Sequence, residues 1–378
     1  MLNQQVNNFL LSKVSLKRLE LIVLDIPQKE VFVSAIGHRK SRKALIIKWI
    51  NKNGIVGYGE CSCRPDPFYS HEFVEASLLL INDFIFPLVK NAITYKQVLD
   101  KLAKVRGWNF TKAAIEFAMN DTLRREGGIG IIESWGGQPI AKVPVGISLG
   151  LFDSLQSLAH KLNEVEQDNY QRIKFKINCN YNDPAIHERI QALDHNNISF
   201  DANGSFSVDS FELLNRFASM GYTIEQPFLP GEIYQYQDYI EHYKPFSICL
   251  DEDIESYGNL VSLRSEMNEV NIKPGRVGGL YNTLKMIDFC HEHNLHAWIG
   301  GMFESGIGRA QNLQLASLLP DAKAHDLSPS SRYFTKDVLQ EPISMDNGFI
   351  NTENFMHVEV NDEALDSMTV NKIILVNE

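Results

Sequence analysis

The chain has 378 residues, which exceeds one ordinary domain, so one large barrel or two domains is the first expectation. Hydrophobic residues make up 44% and charged residues 22%, a globular balance able to bury a sizeable core. The formal net charge of −11 argues against a nucleic-acid partner, and no window approaches the ~18 apolar residues of a membrane span.

The N-terminal "MLNQQVNNFLLSKVSLKRLE" lacks the basic start and apolar run of a signal peptide, so a cytoplasmic protein is expected. From about 14 to 60, "LELIVLDI" and "ALIIKWINKNGIVGYGEC" read as strands, with "NKNG" as a hairpin signal. The basic "GHRKSRK" at 37–43 reads as a solvated loop. From about 71 to 126 the pattern is helical, and "TKAAIEFAMNDTLRREGG" ends on Gly127 and Gly128. Strands then helices suggest an α+β domain over residues 1–138.

After Pro139 the pattern changes. Short β-rich runs alternate with helical stretches: "VPVGISLG" (143–150), "RIKFKIN" (172–178), "ISFDAN" (198–203) and "TIEQPF" (223–228). "SICLDED" (247–253), "EVNIKP" (269–274), "HAWIGGM" (296–302) and "AHDLSP" (324–329) continue the series. Successive starts lie roughly 22 to 30 residues apart, the length of one strand, one helix and two short loops. The expectation is an α/β fold, a modified (β/α)7β TIM-type barrel over 139–334, and no G-x-G-x-x-G favours an open sheet instead. The segment 335–378 returns to β-rich patterning ("NKIILVNE") and is expected to pack back on the N-terminal domain. Cys61, Cys63, Cys179, Cys249 and Cys290 follow no disulfide or zinc spacing and read as buried or incidental thiols.

Barrel active sites lie at the C-terminal strand ends. Those positions hold Lys174 and Lys176, then Asp201 and Asn203, Glu225, Asp251 and Glu252, and Lys273. One charged residue per repeat at nearly the same phase places them around one rim. Three converging carboxylates must take a proton or share a cation, and oxygen-only donors favour a hard ion, Mg²⁺ before Mn²⁺. A lysine beside a dication and a second ammonium is expected to have its pKa lowered, to roughly 7–8, which suits a general base. Mg²⁺ with a lysine base acting on the carbon acid beside a carboxylate is a known enolase-superfamily arrangement.

"IKFKIN", "FDANGSF", "IEQPF", "CLDED" and "NIKPGRVGGL" resemble, in order and spacing, the muconate-lactonizing-enzyme-like branch of that superfamily. "VPVGISLG", "WIGGMFESGIGRA" and "GYGEC...PFYSHEF" narrow the resemblance to its o-succinylbenzoate synthase / N-succinylamino acid racemase group, over about 20–370. The resemblance implies an N-terminal domain that caps the barrel and supplies specificity loops. It implies Asp201, Glu225 and Asp251 as Mg²⁺ ligands, with Asn203 and Glu252 supporting the metal shell. It implies Lys176 as base on one face and Lys273 on the other, with Arg276 tuning the second lysine. The implied reactions are dehydration of a cyclohexadiene carboxylate in menaquinone biosynthesis, or racemisation of an N-succinylamino acid. The implied partner is a small carboxylate, and a symmetric homo-oligomer is expected.

Tyr69 reads as part core and part specificity loop, and Ser148, Gly301 and Met302 as pocket-lining or simply packed strand ends. "GHRKSRK" reads by family analogy as a lid over an anionic substrate. Asp253 stands where a small hydroxyl residue is expected and is read as a carboxylate able to pair with a lysine. His291, His293 and His296 read as solvated surface. A barrel that binds without catalysis is the reading from another class. A dipeptide epimerase is disfavoured, because "SPSS" shows no acidic pair for an α-amino group.

Overall fold

The computed structural model describes residues 4–34, 37–166, 168–193, 195 and 197–377. Strands β1 (Arg18–Ser34), β2 (Gly37–Ile50) and β3 (Val56–Cys61) form an antiparallel sheet. The β2–β3 turn is set by Asn51, whose Oδ1 accepts from the backbone of Asn53 (3.0 Å) and Ile55 (2.9 Å). "GHRKSRK" is not a loop. It is the first half of β2, with Ser41, Arg42 and Lys43 paired to Pro27, Ile26 and Asp25 of β1. Ladder hydrogen bonds are made by the backbone, so the pairing runs on through a charged stretch. The segment read as a lid, 37–43, is this same run of strand.

The helix Asn109–Gly127 packs on this sheet, and glycine lets it approach. A Cβ at Gly59 would lie 2.2 Å from the Ala114 carbonyl oxygen, and one at Gly57 2.2 Å from the Thr122 nitrogen. Between sheet and helix lie the buried Leu45, Ile47, Ala114, Phe117 and Ala118.

The strands β4 (Lys142–Pro144) and β12 (Phe349–Asn351) pair as a short antiparallel ribbon below the parallel sheet. That sheet holds β5 (Gly146–Leu149), β6 (Arg172–Lys176), β7 (Ile198–Asp201), β8 (Thr223–Glu225), β9 (Ile248–Leu250), β10 (Glu269–Ile272) and β11 (His296–Ile299), neighbours in chain order. Helices join successive strands, as parallel pairing requires. The eighth expected strand shrinks to two bridge residues. His325 pairs beside Val145 and Asp326 beside Gly300, so this one step joins the two edges into a ring. The last strand, β13 (Thr369–Val376), returns to the N-terminal sheet and pairs antiparallel with β1, giving the order β13-β1-β2-β3.

The residues before β1 form a helix, Gln4–Leu10, that buries Val6, Phe9 and Leu10. All five cysteines are free thiols, and four of them are buried. Among the described residues no helix is long and apolar enough to cross a membrane.

Candidate active site

Strand pleating decides what faces the barrel axis. In β6 and β7, Phe175 and Phe200 turn outward, against Phe152 and Phe217 respectively. Alternation then turns Lys174, Lys176 and Asp201 inward. Register does the rest: Lys176 pairs with Asp201 and Asp201 with Glu225, so three charged side chains stand side by side on adjacent strand ends. Asp251 and Lys273 follow one residue beyond β9 and β10. In a ring closed by an eighth step, β6 and β10 stand opposite each other, with β7, β8 and β9 on the arc between them. Two lysines therefore enter from opposite sides, with one carboxylate per intervening strand.

These side chains border a cavity of about 550 Å³. Tyr69, Ser148, Lys174, Lys176, Asp201, Asn203, Glu225, Glu252, Lys273, Gly301 and Met302, all expected at the site, line it. Asp251 and Arg276 sit one layer deeper.

The pairings are specific. Lys176 Nζ donates to Asp201 Oδ2 at 3.0 Å and to Asn203 Oδ1, and its side chain is 41% exposed. Lys273 is mostly covered, its side chain 12% exposed, and donates to Asp251 Oδ2 (2.7 Å) and to the Tyr69 hydroxyl (3.2 Å). Arg276 holds the other Asp251 oxygen (2.6 Å) and also donates to Tyr69 (2.9 Å). Lys174 bridges Glu225 (2.6 Å) and Asp326 (2.5 Å). Asn271 donates to the second Glu225 oxygen (2.8 Å), and Asn203 to Glu252 (3.2 Å).

Burial sets the electrostatics. It pushes the Glu225 carboxyl up to about 8, against Lys174, with Asp201, Asp251 and Asp326 adding to the rise. Burial, then Asp251, pushes Glu252 up to about 7. Burial also acts on Asp251, but Arg276 and Lys273 outweigh it and hold that carboxyl below its ordinary range. Burial does pull Lys174 and Lys273 down, but Asp326 and Glu225 on one, and Asp251 on the other, hold both ammonium groups above their ordinary value.

Among the described residues no three carboxylate, imidazole or thiolate groups stand as a ready-made ligand set, because ammonium and guanidinium groups occupy the carboxylate oxygens. The donor chemistry nevertheless fits a divalent cation. Asp201, Glu225 and Asp251 offer only oxygen, Glu225 and Glu252 are strained as anions by burial, and Glu252 Oε2 is buried without a hydrogen-bond partner.

Over the whole chain the likeness to known proteins is consistent. The family model described as "Enolase C-terminal domain-like" matches residues 157–355. An o-succinylbenzoate synthase of Bacillus subtilis (strain 168) is 34% identical over 363 residues, covering 93% of this chain and 96% of that one. The chain belongs to the enolase superfamily. Within it the chain falls in the o-succinylbenzoate synthase / N-succinylamino acid racemase group, related to the muconate lactonizing enzymes. An N-succinylamino acid racemase of Amycolatopsis sp is 30% identical over 372 residues, 96% of this chain and 98% of that one. A crystal structure of an enolase-superfamily member from Listeria innocua superposes with a TM-score of 0.88 at 26% identity, covering 97% of this chain and 100% of that one. Members of the superfamily generally use a divalent metal.

Several residues of this enolase-superfamily site were not singled out in the sequence. Asp326 ties Lys174 to Arg172, whose Nη2 lies 2.5 Å from it and whose guanidinium lies over the Trp298 ring at 3.9 Å. The signal was present: Asp326 falls in the eighth β-rich run, near the phase of the other acids. Asn271 precedes Lys273 by two and so shares its strand face. Asp253 departs from its expected behaviour. It accepts from the Gln226 amide (2.6 Å) and the Gly231 nitrogen (2.6 Å), not from a lysine, and so fixes the loop after β8. His291, His293 and His296 are exposed, as expected.

Proposed function

We propose that the protein is an o-succinylbenzoate synthase. It would dehydrate 2-succinyl-6-hydroxy-2,4-cyclohexadiene-1-carboxylate in menaquinone biosynthesis, in the cytoplasm and with Mg²⁺. Asp201, Glu225 and Asp251 would hold the ion, with Asn203 and Glu252 around them. When bound, the ion draws charge from a substrate carboxylate and so acidifies the adjacent C–H. The observation that carries the reading is the opposition of Lys176 and Lys273 across one cavity.

Lys176, half-exposed at the mouth, takes the α-proton. The C–H electron pair moves first onto the carboxylate and then into the ring as the C–O bond breaks, and the departing hydroxyl leaves as water with the proton Lys176 returns. Lys273, held by Asp251 and Tyr69, keeps a positive charge on the opposite face while the carboxylate gains negative charge. Lys174, fixed between Glu225 and Asp326, supplies a second fixed charge. Arg276 shares Asp251 and Tyr69 with Lys273 and so sets where that ammonium points.

Racemisation of an N-succinylamino acid is the second reading. Removing a proton from one face and returning it to the other needs two opposed bases, which this arrangement provides, and the likeness to the Amycolatopsis racemase supports it. The test is a pair of rates on one Mg²⁺-loaded preparation. Fast dehydration with slow racemisation supports the synthase, and comparable rates mean a bifunctional enzyme. No turnover of either, with Mg²⁺ raising the melting temperature, removes the substrate assignment. If Mg²⁺ also fails to bind, a non-catalytic barrel becomes the better reading.

A further inference from the structure

Most cations around the cavity already have a carboxylate. Lys174 has Glu225 and Asp326, Lys176 has Asp201, and Lys273 and Arg276 share Asp251. Arg309 has Glu304, and Arg64 has Asp66. Arg42 differs. It lines the cavity from the N-terminal sheet and is only 7% exposed. Among the described residues no carboxylate lies within ion-pair distance of it. Its Nη2 makes only long contacts, to the carbonyls of Ser62 (3.4 Å) and Cys63 (3.5 Å), and its Nε is buried with no hydrogen-bond partner. The two nearby carboxylates are engaged elsewhere. Glu60 accepts from Ser305 and Gly308, and Glu304 from Met302, Asn312 and Arg309.

A buried guanidinium with open donors is a carboxylate receptor by its chemistry. The reacting carboxylate belongs at the strand ends, beside Lys174 and the acids. Arg42 comes from the opposite, capping side of the cavity. We infer that Arg42 is the specificity residue that receives the second, distal carboxylate of a succinylated substrate. This rests on the reading of the site as one for succinylated carboxylates. It assigns Arg42 to specificity and gives it no part in proton transfer.

The test compares N-succinylglycine with N-butanoylglycine, in which a methyl group replaces the distal carboxylate. Binding is measured by calorimetry in Mg²⁺ buffer on the full chain. The wild type should bind the succinyl compound at least tenfold tighter. Arg42→Gln should lose that preference by weakening the succinyl compound alone, and Arg42→Lys should retain part of it. Because Arg42 also braces the carbonyls of Ser62 and Cys63, a structural role would weaken both compounds equally, and that result overturns the proposal. So does a wild type that does not distinguish the two compounds, which needs no variant to fold. So does loss of preference in Arg64→Gln with Arg42→Gln unaffected. Since binding is read without turnover, intact discrimination alongside absent dehydration and racemisation would retain the subsite and remove the assigned reaction.

Discussion

Lys176 and Lys273 differ in surroundings although they sit at equivalent places in the barrel. Lys176 is half-exposed and rests on Asp201 and Asn203; Lys273 is mostly covered under Tyr69 and shares Asp251 with Arg276. Their separation on opposite strands makes a sharp expectation for α-proton exchange. In D₂O, with an N-succinylamino acid, Lys176→Ala should lose exchange of one enantiomer and keep the other, and Lys273→Ala should show the reverse. Each loss should be about 10²- to 10⁴-fold, the usual worth of a positioned acid or base. Dehydration should fall by a similar factor in Lys176→Ala. Equal loss of both enantiomers in both variants would remove the one-lysine-per-face assignment. These two lysines and the three acids were legible in the sequence because strand alternation turns one residue per repeat inward at a constant phase. Asp326 was legible only in part: it falls in a β-rich run, but its strand is two residues long and offers no alternation to read. Arg42 was not, because its approach to the barrel mouth is a tertiary event with no local pattern.

At the scale of elements, the repeat of strand and helix announced the barrel, and the segment from 37 to 43 misled. Its charges break the apolar pattern, yet it belongs to a ladder whose partner strand is long enough to carry it. A second feature invisible to periodicity is the contact of β3 with the helix Asn109–Gly127. The sequence "VGYGE" shows two glycines in a strand, where they weaken β-propensity and indicate close backbone approach. The structure supplies the approach: helix carbonyls occupy the space a Cβ would need at Gly57 and Gly59. Gly59→Ala should therefore destabilise by at least roughly 1–3 kcal/mol, the usual cost of overpacking, since the obstructing atom is backbone and cannot rotate away. Urea denaturation should show a lower midpoint at unchanged slope. Gly127→Ala, at a position with open space around the new Cβ, should stay within about 0.5 kcal/mol of the wild type. If the two substitutions behave alike, the close contact does not set the packing of helix on sheet.

The molecule is held together across its two sheets by buried carboxylates seated on helix N-termini, where unpaired N–H groups and the helix dipole favour an acceptor. Glu60, from β3, accepts from Ser305 and Gly308 at the start of the helix Gly306–Ala316. Glu116, from the helix Asn109–Gly127, accepts from Tyr95 (2.8 Å) and from the Tyr281 nitrogen (2.9 Å) at the start of the helix Leu280–Glu292. Gly279, at φ 109°, leaves room for it, since a Cβ there would lie 2.1 Å from Glu116 Oε2. No sequence motif marks these contacts, because each joins residues far apart in the chain. They carry a pH signature. Burial raises both carboxyls from an ordinary 4.5 to about 7, despite the donors around them. The folded chain then binds each proton more tightly than the unfolded chain does. That contribution to stability is complete below about pH 4.5 and is lost as pH rises through about 7. Glu116→Gln removes one of the two titrations and keeps an acceptor for the Tyr281 nitrogen. The melting temperature of the wild type minus that of Glu116→Gln should accordingly fall between pH 5 and pH 8, with groups common to both proteins cancelling in the difference. The variant should keep a slope of the same sign from Glu60, Glu225 and Glu252. A difference that stays flat, or that grows with pH, would mean the Glu116 carboxyl is ionised throughout that range and binds the helix start as an anion.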